Sequence, residues 1–223
     1  MSASKKLLYW ISGPRLPLLN LVAAVVTCGV VMARRDWAFS PKPDGSDPAL
    51  AYLLDIIARV SVVYFLLVFY ARPLNEVFHN KVTRFMVKNR RYIGLSFAAW
   101  FLQHLWILPT WGYPVFHKFW MAGRLGFATI TVLLIVVQTL TSFNRAQRSL
   151  PGWKAIHWIS LQANWVWFLA IYILFWQKRG EPYQLVYVVL FIGGQLLRIV
   201  LFSRKLLRDR VSGAPLASEQ QSA

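Results

Sequence analysis

Residues 155–176 read AIHWISLQANWVWFLAIYILFW, a stretch without a single Lys, Arg, Asp or Glu. Cations close it at both ends, Lys154 before it and Lys178 and Arg179 after it. At 1.5 Å per residue it makes a helix roughly 33 Å long, enough to cross the hydrocarbon core of a bilayer. One turn inside its first end stands His157. An imidazole in a lipid-spanning helix is expensive and faces a partner, a cofactor or a proton path.

Five further stretches read the same way: 16–32, 49–70, 92–108, 119–142 and 183–202. The segments between them, at 41–48, 109–114, 149–152 and 178–182, are rich in Pro, Gly or charge and read as turns. The expected fold class is therefore all-α, an integral membrane six-helix bundle over residues 1–210. The small, polar tail 211–223 is expected to be disordered. No internal repeat is visible. The start of the chain does not resemble a cleaved signal peptide, because Pro14, Arg15 and Pro17 interrupt it before the first apolar run.

Composition agrees. The 223 residues are 57% hydrophobic and 16% aromatic, with a net charge of +17. Such a charge raises the question of nucleic acid, but a nucleic-acid binder shows it as a stripe on a soluble fold. Here the cations fall between apolar runs, which is how membrane topology is written. The N-terminus, the 71–91 and 143–154 loops and the C-terminus carry 3, 6, 3 and 4 Lys or Arg, 16 in all. The opposite loops, 33–48, 109–118 and 177–182, carry 3, 1 and 2, or 6 in all. The positive-inside rule then puts both termini in the cytoplasm. Trp37, Trp106, Trp111, Trp120 and Trp176 fall near outer ends and Trp153 and Trp158 near an inner end, as interfacial anchors do. Cys28 is alone, so neither a disulfide framework nor a Cys-based metal site is expected.

The chain has four histidines, and two of them, His104 and His157, lie within expected spans. His79 belongs to a basic loop and is read as solvated, and His117 lies in or beside an outer loop. In a membrane bundle the partner that best suits paired histidines is haem iron. His104 follows Arg91 by thirteen residues, roughly 20 Å of helix, while His157 follows Lys154 by three, roughly 5 Å. Two imidazoles about 15 Å apart in depth do not share one iron.

The stretch Arg72-Pro73-Leu74, then 88–97 (KNRRYIGLSF), then Gln103-His104-Leu105 resembles the ferric-reductase-like transmembrane family. So does 141–144 (TSFN) followed by Trp153-x-x-x-His157. That family includes the haem-binding membrane subunit of bacterial methionine sulfoxide reductase and the membrane halves of NADPH oxidases. The likeness covers about residues 50–200. It implies b-type haems held between the third and fifth helices, one inner and one outer, each by a His from each helix. It also implies a bacterial inner membrane and electron relay from a separate flavoprotein or quinone donor.

By this resemblance His157 matches the inner ligand and His104 the outer. The outer partner position on the fifth span is Ala170, and the inner partner position on the third falls near Arg90. Where some relatives carry a further His, this chain has Trp100. The full two-haem arrangement is therefore not expected; one haem b or none is. Met121 and His117 are conceivable outer alternatives, and Arg59 and Arg124 candidate propionate partners.

Other charges within spans have simpler readings. Asp55 and Arg59, at i and i+4, are expected to neutralise each other on one helix face. Arg124 and Arg198 near span ends are expected to snorkel to headgroups, and Gly193-Gly194 to permit close helix packing. The basic 81–91 loop is expected to sit on anionic headgroups or to dock an acidic partner protein. No Gly-x-Gly-x-x-Gly or Cys/His motif offers a nucleotide or soluble metal site. The expected function is a b-type cytochrome relaying electrons across the membrane. The alternative is a haem-free descendant acting as a scaffold, partner subunit or small-molecule binder. A transporter ranks below both for want of broken-helix pairs or inverted similarity.

Overall fold

The computed structural model describes residues 12–33, 48–107, 124–142 and 151–211. All regular structure among them is helical. The elements are α1 (Arg15–Ala33), α2 (Pro48–Phe78), α3 (Lys81–Ile107), α4 (Arg124–Thr141), α5 (Trp153–Arg179) and α6 (Pro182–Val211). Three are long and apolar enough to cross a membrane: α2 over Tyr52–Phe78, α5 over Trp153–Lys178 and α6 over Pro182–Arg208. Shorter apolar helices lie at Arg15–Val31 and Val132–Thr141.

Helices α2, α3, α4, α5 and α6 touch in sequence and α6 returns to α2, closing a five-helix ring. The interface of α2 with α3 is the largest. Phenylalanines fill the centre. Phe65 of α2 lies 5.5 Å from Phe97 of α3, 5.1 Å from Phe168 of α5 and 6.0 Å from Phe191 of α6, between ring centroids. All four are buried, with Ile135 of α4 completing the cluster. Tilted and edge-on contacts of this kind add to plain packing.

Helix α1 packs outside the ring against α2 and α3, with Ala24, Leu53, Ile57 and Trp100 buried between them. Polar side chains fix its register. Asn89 Oδ1 accepts from the Gly13 amide at 3.0 Å, and Asn20 bonds both Ser96 (3.2 Å) and the Trp100 indole (2.9 Å). Further along, Gln103 donates to the Cys28 sulfur. The near-constant offset means that α1 and α3 run parallel. Interhelical side-chain bonds are a regular means of joining helices where no water competes.

The 71–91 segment, expected as a loop, is helical but for His79 and Asn80. Asn80 caps α3: its Oδ1 accepts from the Thr83 amide at 2.9 Å while Thr83 Oγ1 accepts from the Asn80 amide at 3.2 Å. This is the reciprocal logic of a capping box. Helix α2 spans 31 residues, roughly 46 Å, so it outruns a hydrocarbon core and carries Arg72 and Glu76 beyond its most apolar part.

Two aromatic groups lock α6. The Tyr70 hydroxyl donates to the Leu190 carbonyl, and the Trp165 indole donates to the Phe191 carbonyl at 2.9 Å. The Tyr70 ring can reach because Gly194 has no side chain; a Cβ there would sit 2.8 Å from the ring. The close-packing role expected of Gly193-Gly194 is thus visible at Gly194.

Candidate functional site

The basic ends of the ring helices gather at one end of the bundle around a cavity of about 860 Å³. Six cations line it: Arg72 from α2, Lys88, Arg90 and Arg91 from α3, Lys154 from α5 and Arg198 from α6. Among the described residues no carboxylate does. The Phe65 and Phe97 rings form its apolar side, and Trp153 and Trp158 contribute from α5. Volumes of this size suit a small organic ligand or cofactor.

His157 is half-buried in the same wall. Its Nδ1 lies 3.0 Å from Thr141 Oγ1 at the end of α4. The Thr141 hydroxyl also lies 2.7 Å from the Val137 carbonyl and 3.2 Å from that of Gln138. When its one proton goes to a carbonyl, Oγ1 accepts from Nδ1–H. That tautomer leaves the lone pair on Nε2, the form in which histidine ligates a metal. Trp153, one turn earlier, meets the imidazole edge-on with centroids 6.4 Å apart.

The cations are crowded. Burial, with Arg72 close by, pushes the Arg90 guanidinium down to about 10. Arg198 lies 3.8 Å above the Phe69 ring. The expectation that Arg198 snorkels outward therefore gives way to a cation–π seat in the cavity wall. Gln138 Nε2 and Gln195 Oε1, from the same wall, are buried without a hydrogen-bond partner among the described residues. Orphaned buried polar atoms in a cavity signal a missing partner.

The other candidates fall elsewhere. Arg59 pairs with Asp55 and stacks on Tyr183, 4.0 Å from the ring centroid, and does not line the cavity. It lies thirteen residues from Arg72, roughly 20 Å along α2. His104 is helical in α3, fourteen residues and roughly 21 Å beyond Arg90. The side chains of His104 and Arg124 lie outside the described residues, as do His117 and Met121 altogether. Ala170 is exposed on α5. No group of three or more His, Cys, Asp or Glu that could hold a metal ion occurs among the described residues.

The described residues define an all-helical protein with three membrane-length helices and, at one end of its bundle, a basic cavity whose described lining holds no acid. Comparison with family models, with curated proteins and with solved structures finds no match.

Proposed function

We propose that the chain is a ferric-reductase-like b-type cytochrome that spans a bacterial inner membrane six times. In this reading both termini and the basic cavity face the cytoplasm, and a separate flavoprotein or quinone supplies electrons. The observation that carries the proposal is His157, whose Nδ1 bonds Thr141 in the wall of a cavity lined by six cations.

These residues fit a haem in volume and charge. His157 Nε2 would hold the iron, with Thr141 keeping the ring in the required tautomer and orientation. Lys88, Arg90, Arg91 and Lys154 offer cations for two propionates, a role expected from the sequence for Arg59 and Arg124. Phe65 and Phe97 exclude water from one side. When bound, the haem would supply reversible one-electron chemistry. His104, about 21 Å beyond the level of Arg90, would serve a second, outer site if any.

A haem-free small-molecule binder is the second reading. It is favoured by the cavity wall, where His157 is the one imidazole and no thiol or thioether appears among the described lining residues. A reduced-minus-oxidised spectrum of protein purified in mild detergent decides between them. A b-type spectrum lost in His157→Ala is the expected result; no Soret band from haem-replete cells ends the cytochrome reading. Thr141→Val should weaken haem retention about tenfold, because removing the partner of a metal-ligating His costs that order of affinity. Retention equal to that of the parent chain would refute the tautomer argument.

A further inference from the structure

A smaller cavity of about 260 Å³ adjoins the first, between the basic ends of α2 and α6. Arg72, Arg198 and Phe202 belong to the walls of both. The groove adds Lys205, the apolar Leu201 and one carboxylate, Glu76. Among the described lining residues three cations thus face one acid, beside a main cavity with none. The described residues at this end carry more positive than negative charge.

The groove's surroundings are apolar. Beside it on α6, Ile199, Phe202 and Leu206 are exposed, and on α2 Val77 and Phe78. Of the most apolar window of α6 only 17% is buried, against 44% for α2. A large exposed apolar face on a membrane-length helix is covered by acyl chains. A basic groove at the end of such a face is therefore where an acidic headgroup and its chains would meet complementary surfaces together. Guanidinium groups suit this task, since each offers paired N–H donors in the geometry of phosphate oxygens.

We infer that the α2–α6 groove is a binding site for an anionic phospholipid. Its phosphate is held by Arg72 and Arg198 with Lys205, and its acyl chains lie along Phe202 and the exposed face of α6. Glu76 excludes a second negative charge beside the first. This site requires membrane embedding but not haem. Through Arg72 and Arg198 the bound phosphate would also lower the positive potential of the main cavity.

Native mass spectrometry of the full chain in detergent, titrated with phosphatidylglycerol or phosphatidylcholine, tests it. The expected result is about tenfold or greater preference for phosphatidylglycerol, lost in Arg72→Gln/Arg198→Gln. Arg204→Gln, outside the groove, should keep the preference. Arg72→Lys/Arg198→Lys keeps the charge and should retain a reduced preference, which separates loss of binding from loss of fold. Equal retention of both lipids, or equal loss in Arg204→Gln, overturns the site. Displacement by inorganic phosphate at matching concentration would make it a free-phosphate site and overturn the lipid assignment. The titration is repeated in His157→Ala: a preference that survives there stands whatever the fate of the haem reading. A preference that disappears there belongs to the main cavity and overturns the groove.

Discussion

Arg59 and Arg90 occupy opposite ends of one helix bundle under opposite conditions. Arg59 has Asp55 one turn before it on the same helix and the Tyr183 ring beneath it. Around it, Tyr183, Tyr187 and Tyr172 pack at centroid distances of 6.4 and 4.8 Å. Arg90 shares a cavity wall with five other cations and, among the described residues, no carboxylate. At the Asp55–Arg59 end the guanidinium has a carboxylate partner. Among the described residues Arg90 has none, and its end holds the 860 Å³ cavity, the orphaned atoms of Gln138 and Gln195 and the His157 imidazole. A binding site is expected where a fold leaves charge and volume unmatched, and here both lie at the same end.

The largest test concerns what separates the two ends. Phe65 touches Phe69, Phe97, Phe168 and Phe191 and also lines the cavity. Phe65→Ala should lower stability by about 3 to 5 kcal/mol, since a buried aromatic leaves a hole that helices refill poorly. Thermal unfolding in detergent measures it. A loss below about 1 kcal/mol would mean that the aromatic centre does not hold the ring, and the two ends could not be treated as parts of one packed body.

Gly194→Val comes next. Its branched side chain must displace the Tyr70 ring, breaking the bond to the Leu190 carbonyl and parting α2 from α6. The expected cost is about 1 to 3 kcal/mol, as for other overpacked sites. The added Tyr70→Phe substitution should cost little in that background, because the hydroxyl has already lost its acceptor. A full additional loss would show that Tyr70 keeps its seat.

How much of this was legible differs between fold and site. Helix positions were, because lipid demands long uncharged stretches and the sequence displays them. The helical 71–91 segment was missed for the same reason: hydropathy marks what lies in lipid, and α2 and α3 continue past it to the Asn80 cap. Asn80-x-x-Thr83 was the available signal. His157 was legible as a misplaced polar group, and the Asp55–Arg59 pair as helical spacing. The cavity was not. Arg72, Arg90 and Arg198 come from three helices, and only the ring's closure brings them to one wall. Read alone, Arg198 looked like any cation near a span end. Thr141 belongs to the TSFN motif in the sequence, and its bond to His157 needs α4 packed against α5.

Removing the uncompensated cation should help the fold. Arg90→Leu is expected to raise stability by about 1 to 3 kcal/mol, because a half-buried charge with no counter-charge among the described lining residues is replaced by an apolar group. The same change should weaken binding of any anion in the cavity. Ligand-free protein is the right sample, since a bound anion would stabilise Arg90 and reverse the sign. A destabilised Arg90→Leu variant in ligand-free protein would mean that the cation has a partner, and the contrast with Arg59 would fail.

Arg59→Met should do the opposite, and weakly. The pair it breaks is part-exposed, with side-chain exposures of 43% for Arg59 and 35% for Asp55. Screening therefore limits its worth to about 1 kcal/mol or less, a fall of roughly 2 to 4 °C in unfolding temperature. Asp55→Asn added to it should recover part of that fall, since it removes the carboxylate left alone near the Tyr172, Tyr183 and Tyr187 rings. Opposite signs for Arg59→Met and Arg90→Leu in the same detergent would tie the difference to charge pairing, because the two residues share a side-chain type and a helical setting. Equal signs would mean that burial alone governs both, and the basic cavity would lose its claim to be the unmatched end.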